Sequence, residues 1–193
     1  MPRVGLNPQI VVREAALLAD EVGYQQLTLA ALAGRLGVAL PSLYKHIKGA
    51  EALAQKLAAL ATAELAEEMT TAAAGRSREE ALRAVATAYR SYARRHPGRY
   101  PMAQRVPDPA DPAHVAAGER AVGVVYAILR GYGIEGDSAV DGVRMFRAAV
   151  HGFVALEAEG DFGLPREVDR SFEQMITALD VAFSAWPGGA DLD

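Results

Sequence analysis

Residues 36 to 49, LGVALPSLYKHIKG, set two lysines, a tyrosine, a histidine and a serine among large apolar side chains within one turn and barely two helical turns. A buried core helix would not put Lys45 and Lys48 beside Tyr44 and His46, and a solvated one would not carry Leu40, Leu43 and Ile47. On a duplex each polar group has work. Tyr44, Lys45, His46 and Lys48 can reach phosphates, Ser42 can hydrogen-bond a base edge, and Leu40 and Pro41 can pack on a thymine methyl. Thr28, with the amides that follow it, can hold another phosphate. A small packing module with a solvated outer face would use the same residues.

No other constellation offers a competing chemistry. The chain has no cysteine, which excludes a disulfide framework, a thiolate zinc site and a cysteine nucleophile. His46, His96, His114 and His151 have no histidine or carboxylate four residues on, so no metal pair is expected. Ser, His and Asp occur, but nothing places them in a nucleophile elbow. Gly131 to Gly136 spells G-x-G-x-x-G after a helix rather than a strand, and reads as a helix stop plus a turn. Asp161-Phe162-Gly163 spells a kinase triplet without the remaining kinase motifs, and reads as a loop. No catalytic residue, metal or cofactor is expected.

The elements that position the candidate residues are helical. Alanine is abundant, and Val, Ile and Thr never gather into alternating runs, so the expected class is all-α. Val11, Ala15, Leu18 and Val22 mark one face of a first helix that Gly23 stops. Thr28 caps a second, LAALAGRLG, ended by Gly37, and a third runs from Pro41 to about Ile47. Leu32, Ala33, Leu36, Val38, Leu43 and Ile47 fall where two crossed helices must be apolar, which is the helix-turn-helix arrangement. Longer helices follow: 51 to 73, 77 to 95, a stretch ending near Tyr132, 137 to 159, and 165 to 185. Residues 1–50 thus read as a three-helix DNA-binding domain and 51–193 as a larger helical domain.

Charge separates the same two parts. The net charge is −4. Yet residues 1 to 56 carry six basic against four acidic side chains, whereas the remainder carries fourteen against twenty. A basic end suits phosphate, and an acidic body suits something else. Arg13, Glu14, Asp20 and Glu21 interrupt what a signal peptide would keep apolar, and no uncharged stretch is long enough to span a bilayer. The expected location is the cytoplasm.

Residues 27 to 53, LTLAALAGRLGVALPSLYKHIKGAEAL, resemble the signature of the TetR family of bacterial transcriptional regulators, above all in Leu43-Tyr44-x-His46-Ile47 and the lysine that follows. The resemblance implies that the third helix is the recognition helix, that Tyr44 and Lys48 contact phosphates, and that Pro41 and Ser42 face bases. Leu40 stands where the family often has a polar residue. RHPGRYP (95 to 101) and VHGFVALEAEGDFG (150 to 163) resemble the family's ligand-binding domain named for a Trp-His-Gly motif, with Val150 in place of the tryptophan.

That resemblance implies a homodimer formed through the last two helices and a small-molecule effector held among the middle ones. The candidate effector residues are Tyr89, Tyr92, Tyr100, Met102, Tyr126, Phe146 and His151, a set that suits an apolar ligand with a polar handle. Core packing accounts for them equally well. Phe172, Met175, Ile176, Leu179 and Phe183 could form either the partner surface or an internal core. Gly142 and Gly152, inside helical sequence, suggest close approach of another helix. The reading is a ligand-released repressor of a palindromic operator. An all-α enzyme or carrier of a small apolar molecule, with residues 1 to 48 used only for packing, is the alternative.

Overall fold

The computed structural model describes residues 6–186; Arg3 and the tail from Pro187, both used in the charge and composition reading, lie outside them. Every regular element among the described residues is helical. The order is α1 (Pro8–Val22), α2 (Leu29–Leu36), α3 (Leu40–Leu43), α4 (Ala50–Ala73), α5 (Arg78–Arg95), α6 (Tyr100–Ala103), α7 (Pro112–Gly131), α8 (Gly136–Glu159) and α9 (Val168–Ser184), with one 3₁₀ turn at Tyr24–Gln26. The chain divides into two compact units. The first takes Met1–Glu64 and Arg95–Gly118, the second Leu65–Arg94 and Glu119–Asp193.

In the first unit, local signals set the helix ends. Asn7 caps α1 by accepting from the Ile10 amide at 2.9 Å, with Pro8 in the first turn. α1 then buries two faces. Val11, Val12, Ala15 and Leu18 pack with Leu32, Ala33, Leu43, Ile47 and Leu53. Ala16 and Ala19 pack with Ala54, Leu57, Ala58, Ala61 and Met102. Val22, assigned by spacing to the inner face, is exposed at the end of the helix.

The second unit buries Leu82, Val85, Ala86 and Tyr89 of α5 and Phe146, Val150 and Val154 of α8. Gly142 is there because a Cβ would stand 2.8 Å from a Leu129 methyl, so α7 and α8 approach closely, as its sequence context suggests. Gly152 differs: among the described residues no other element comes within 4 Å of where its Cβ would be. Phe172, Ile176, Leu179 and Phe183 are buried within the single chain. They are internal core, and the alternative that they form a partner surface is set aside. The face α8 and α9 leave outward carries Met145, Ala148, Leu156, Gln174, Ala178 and Val181 instead.

Candidate nucleic-acid interface and effector region

The turn between α2 and α3 follows from one glycine. Gly37 adopts the left-handed conformation, φ 65° and ψ 31°, at the C-terminus of α2. The Val38 amide donates to Ala33 O at 3.0 Å and the Gly37 amide to Gly34 O at 3.1 Å, the paired bonds that close a helix end. At the other end, the Ala31 amide donates to Thr28 Oγ1 at 3.1 Å, so Thr28 is the cap its position predicts. Its hydroxyl hydrogen remains available to an anion.

α3 is shorter than its sequence pattern suggests. Regular helix ends at Leu43, and the His46 amide then bonds Leu43 O at 2.9 Å while the Ile47 amide bonds the same oxygen at 3.0 Å. The tightened turn keeps both Leu43 and Ile47 in the core. With those anchors inside, Leu40 is 36% and Tyr44 51% exposed. Thr28, Pro41, Lys45 and Lys48 are exposed as well, and Ser42 and His46 half-buried. All eight candidate DNA-contacting residues therefore lie outside the core of the first unit.

One basic residue near this face is already engaged. Arg35 of α2 donates from Nε to Glu14 at 2.9 Å and from Nη1 to Glu21 at 2.6 Å, both on α1. These hydrogen bonds hold the Arg35 pKa above its ordinary value, and the bond from Arg35 lowers that of Glu21. Arg35 fixes α2 to α1, whereas Lys45 and Lys48 make no ion pair among the described residues.

The candidate effector residues fall in both units. Tyr89 and Tyr92 of α5, Tyr126 of α7, and Phe146 and His151 of α8 belong to the second. Tyr100 and Met102 of α6 belong to the first, where Met102 packs against α1 and α4. Tyr92 and Phe146 are fully buried, while Tyr126 and His151 are half-buried. Burial pushes the His151 pKa down, and Arg147 adds to the effect.

Sequence reasoning missed three polar sites. Arg90 is buried in the apolar face of α5, and Thr62 Oγ1 meets His114 Nε2 at 3.2 Å in a buried pair. Asp20 collects His96, Gly98 and Arg99. An arginine on the inner stripe of α5 and the odd R-H-P-G-R run were the available signals. The motifs set aside are turns and loop: Gly133 and Gly136 have φ of 79° and 60°, and Phe162 packs on Phe153 at 4.7 Å between centroids. Among the described residues no His, Cys, Asp and Glu cluster could hold a metal ion, and no helix is long and apolar enough to cross a membrane.

Comparison with known proteins agrees with this geometry. Residues 82–179 match the family model described as "Tetracyclin repressor-like, C-terminal domain". The HTH-type transcriptional regulator Rv0681 of Mycobacterium tuberculosis is 38% identical over 175 residues, covering 90% of this chain and 80% of that protein. YobS of Bacillus subtilis, also named an HTH-type transcriptional regulator, is 32% identical over 177 residues, covering 91% of each. Among solved structures, a TetR variant from Acinetobacter baumannii AYE in complex with minocycline superposes with a TM-score of 0.72 at 25% identity, covering 96% of this chain and 100% of that one.

Proposed function

From the premise that this chain belongs to the TetR family of transcriptional regulators, we propose that it is a repressor that binds a palindromic operator as a homodimer and leaves it when a small molecule binds. The observation that carries the reading is the α2–α3 turn. It buries Leu43 and Ile47 while leaving Leu40, Pro41, Tyr44, Lys45 and Lys48 exposed. Residues 1–50 serve as the DNA-binding domain and 51–193 as the domain for effector and dimer contact. Pro41, Ser42 and Leu40 face bases; Thr28, Tyr44, Lys45, His46 and Lys48 face phosphates. The protein acts in the cytoplasm, where operator DNA is found.

The dimer forms through the outward faces of α8 and α9. Ala148, Ala178 and the bare backbone of Gly152 allow helices to approach closely, and Met145, Leu156 and Val181 supply exposed apolar area. Two recognition helices then enter successive major grooves about 34 to 36 Å apart. For the effector we favour the second unit, which holds Tyr126 and His151 as candidate polar handles and Tyr89, Tyr92 and Phe146 as candidate apolar surface. The neighbour solved with minocycline supports a small-molecule effector for this fold. Binding releases DNA only if the effector prefers the state that binds DNA poorly.

Selection of random duplex DNA by the purified protein tests the reading. An enriched inverted repeat, bound less tightly as salt rises, is the expected result. A folded protein that enriches nothing at low salt would overturn it.

A further inference from the structure

The R-H-P-G-R run acquires a role from what it touches. Asp20, near the C-terminus of α1 and largely buried, accepts the Gly98 amide at 3.1 Å and the Arg99 amide at 2.9 Å on Oδ1. Its Oδ2 stands 2.8 Å from Arg99 Nε and 3.1 Å from His96 Nδ1. Arg99, 8% exposed at its side chain, pairs with Asp20 by charge and donates from Nη1 to both oxygens of Glu64 on α4, at 3.1 and 3.0 Å. Gly98 is obligatory in this arrangement: a Cβ there would lie 1.7 Å from Ala19 O. The turn at 96–99 thus sits directly on the backbone of α1, and one carboxylate gathers four nitrogens from it.

Two further features say what this clamp is for. The contact between α1 and α4 is rich in alanine, with Ala16 and Ala19 against Ala54, Ala58 and Ala61 beside Leu53 and Leu57. Side chains this small interdigitate less deeply than leucines do, which gives polar contacts a part in fixing how the two helices sit. The residue after Asp20 is Glu21, which holds Arg35 of α2. Adjacent carboxylates therefore tie the helix-turn-helix to α1 on one side and the 96–99 turn and α4 to it on the other.

We infer that Asp20 is a positioning residue for DNA recognition: through Arg99, His96 and Gly98 it fixes the α1–α3 bundle against α4, and so sets which half-site spacing the dimer accepts. The inference rests on the regulator reading above. A change of one base pair in the spacer moves a half-site about 3.4 Å along the duplex, a displacement a rigid bundle rejects and a loose one tolerates.

The test uses the full chain, its selected operator, and versions of that operator with the spacer lengthened or shortened by one or two base pairs. Asp20→Asn keeps the shape and removes the charge; Arg99→Lys keeps a charge and removes the planar fork. Either folded variant should bind the preferred operator about tenfold more weakly, because the second half-site is engaged at lower effective concentration. It should bind a single half-site as wild type does, and its preference among spacers should flatten. Unchanged spacer preference in both variants would overturn the inference, as would equal weakening toward half-site and operator in step with lost thermal stability. If Asp20→Asn does not fold, Arg99→Lys alone decides. A wild-type protein that selects no operator would overturn the regulator reading itself, a different result from intact binding with unaltered spacing.

Discussion

The guanidinium of Arg90 grips both carboxylate oxygens of Glu157, with Nε 2.8 Å from Oε2 and Nη2 2.5 Å from Oε1. Nη2 also donates to Asp169 at 2.7 Å, and the guanidinium carbon lies 4.6 Å from the centre of the Phe172 ring. One arginine thereby joins α5 to α8 and to the first turn of α9. The hydrogen bonds Arg90 donates to Glu157 raise the pKa of the guanidinium, against the opposing effect of burial, and Asp169 adds to the rise.

Removing this arginine strands a largely buried carboxylate. Arg90→Ala should cost about 3 kcal/mol in urea denaturation, because Glu157 loses its partner without regaining water. Pairing it with Glu157→Leu should recover part of that loss. A double-mutant cycle without coupling between the two sites would contradict the account.

Gly142 and Gly152 of α8 should respond oppositely to alanine. At Gly142 the new methyl meets Leu129, and crowding of this kind costs about 1–3 kcal/mol, more than the gain in helix propensity. At Gly152 the methyl meets no other element among the described residues, so Gly152→Ala should stabilise an isolated protomer by about 1 kcal/mol. Gly152→Trp should leave the protomer folded and abolish the dimer. Light scattering after size exclusion reads the last effect, and a dimer that survives would move the interface away from this face.

Lysine and arginine should separate in the salt dependence of operator binding. Lys45→Ala with Lys48→Ala should flatten the dependence of log K on log salt by about 0.9 for each phosphate contact removed. Arg35→Ala should leave that slope unchanged, since Glu14 and Glu21 already occupy the guanidinium. Its cost should instead be a small loss of stability, since ion pairs open to solvent contribute little. Equal slope changes would mean that Arg35 leaves its carboxylates for DNA.

His151 should make the fold sensitive to mild acid. Its pKa in the folded chain lies below the ordinary 6.5, chiefly through burial and then through Arg147. The unfolded chain therefore takes up a proton first as pH falls. Stability contributed by neutral His151 is complete above 6.5, declines below it, and levels off under the folded value. Denaturation midpoints measured at about pH 7.5 and about pH 5 should differ less in His151→Gln than in wild type.

The sequence by itself determined what is decided within a few residues. Thr28 caps α2 because its hydroxyl reaches an amide three residues on, and Gly37 ends it because a positive φ strains any residue with a Cβ. The apolar spacing through Ile47 fixed which side of the α2–α3 segment faces inward, and so left Tyr44, Lys45 and Lys48 outside. The exposure of the candidates on that segment was legible for that reason. Helix α6 was not, because four residues after a proline-glycine break carry no periodicity.

Tertiary structure decided everything that depends on partners far away in the chain. Arg99 finds Asp20 from 79 positions off and Arg90 finds Glu157 from 67, pairings that no local pattern encodes. The same holds for α9, where helical spacing marks Phe172, Ile176, Leu179 and Phe183 as one stripe without saying what covers it. Only the packed unit shows that these side chains are enclosed by the chain's own helices. That leaves Gln174, Ala178 and Val181, which spacing alone would pass over, as the face turned outward. An amphipathic pattern records that a side chain leaves water, and the arrangement of the other helices determines against what.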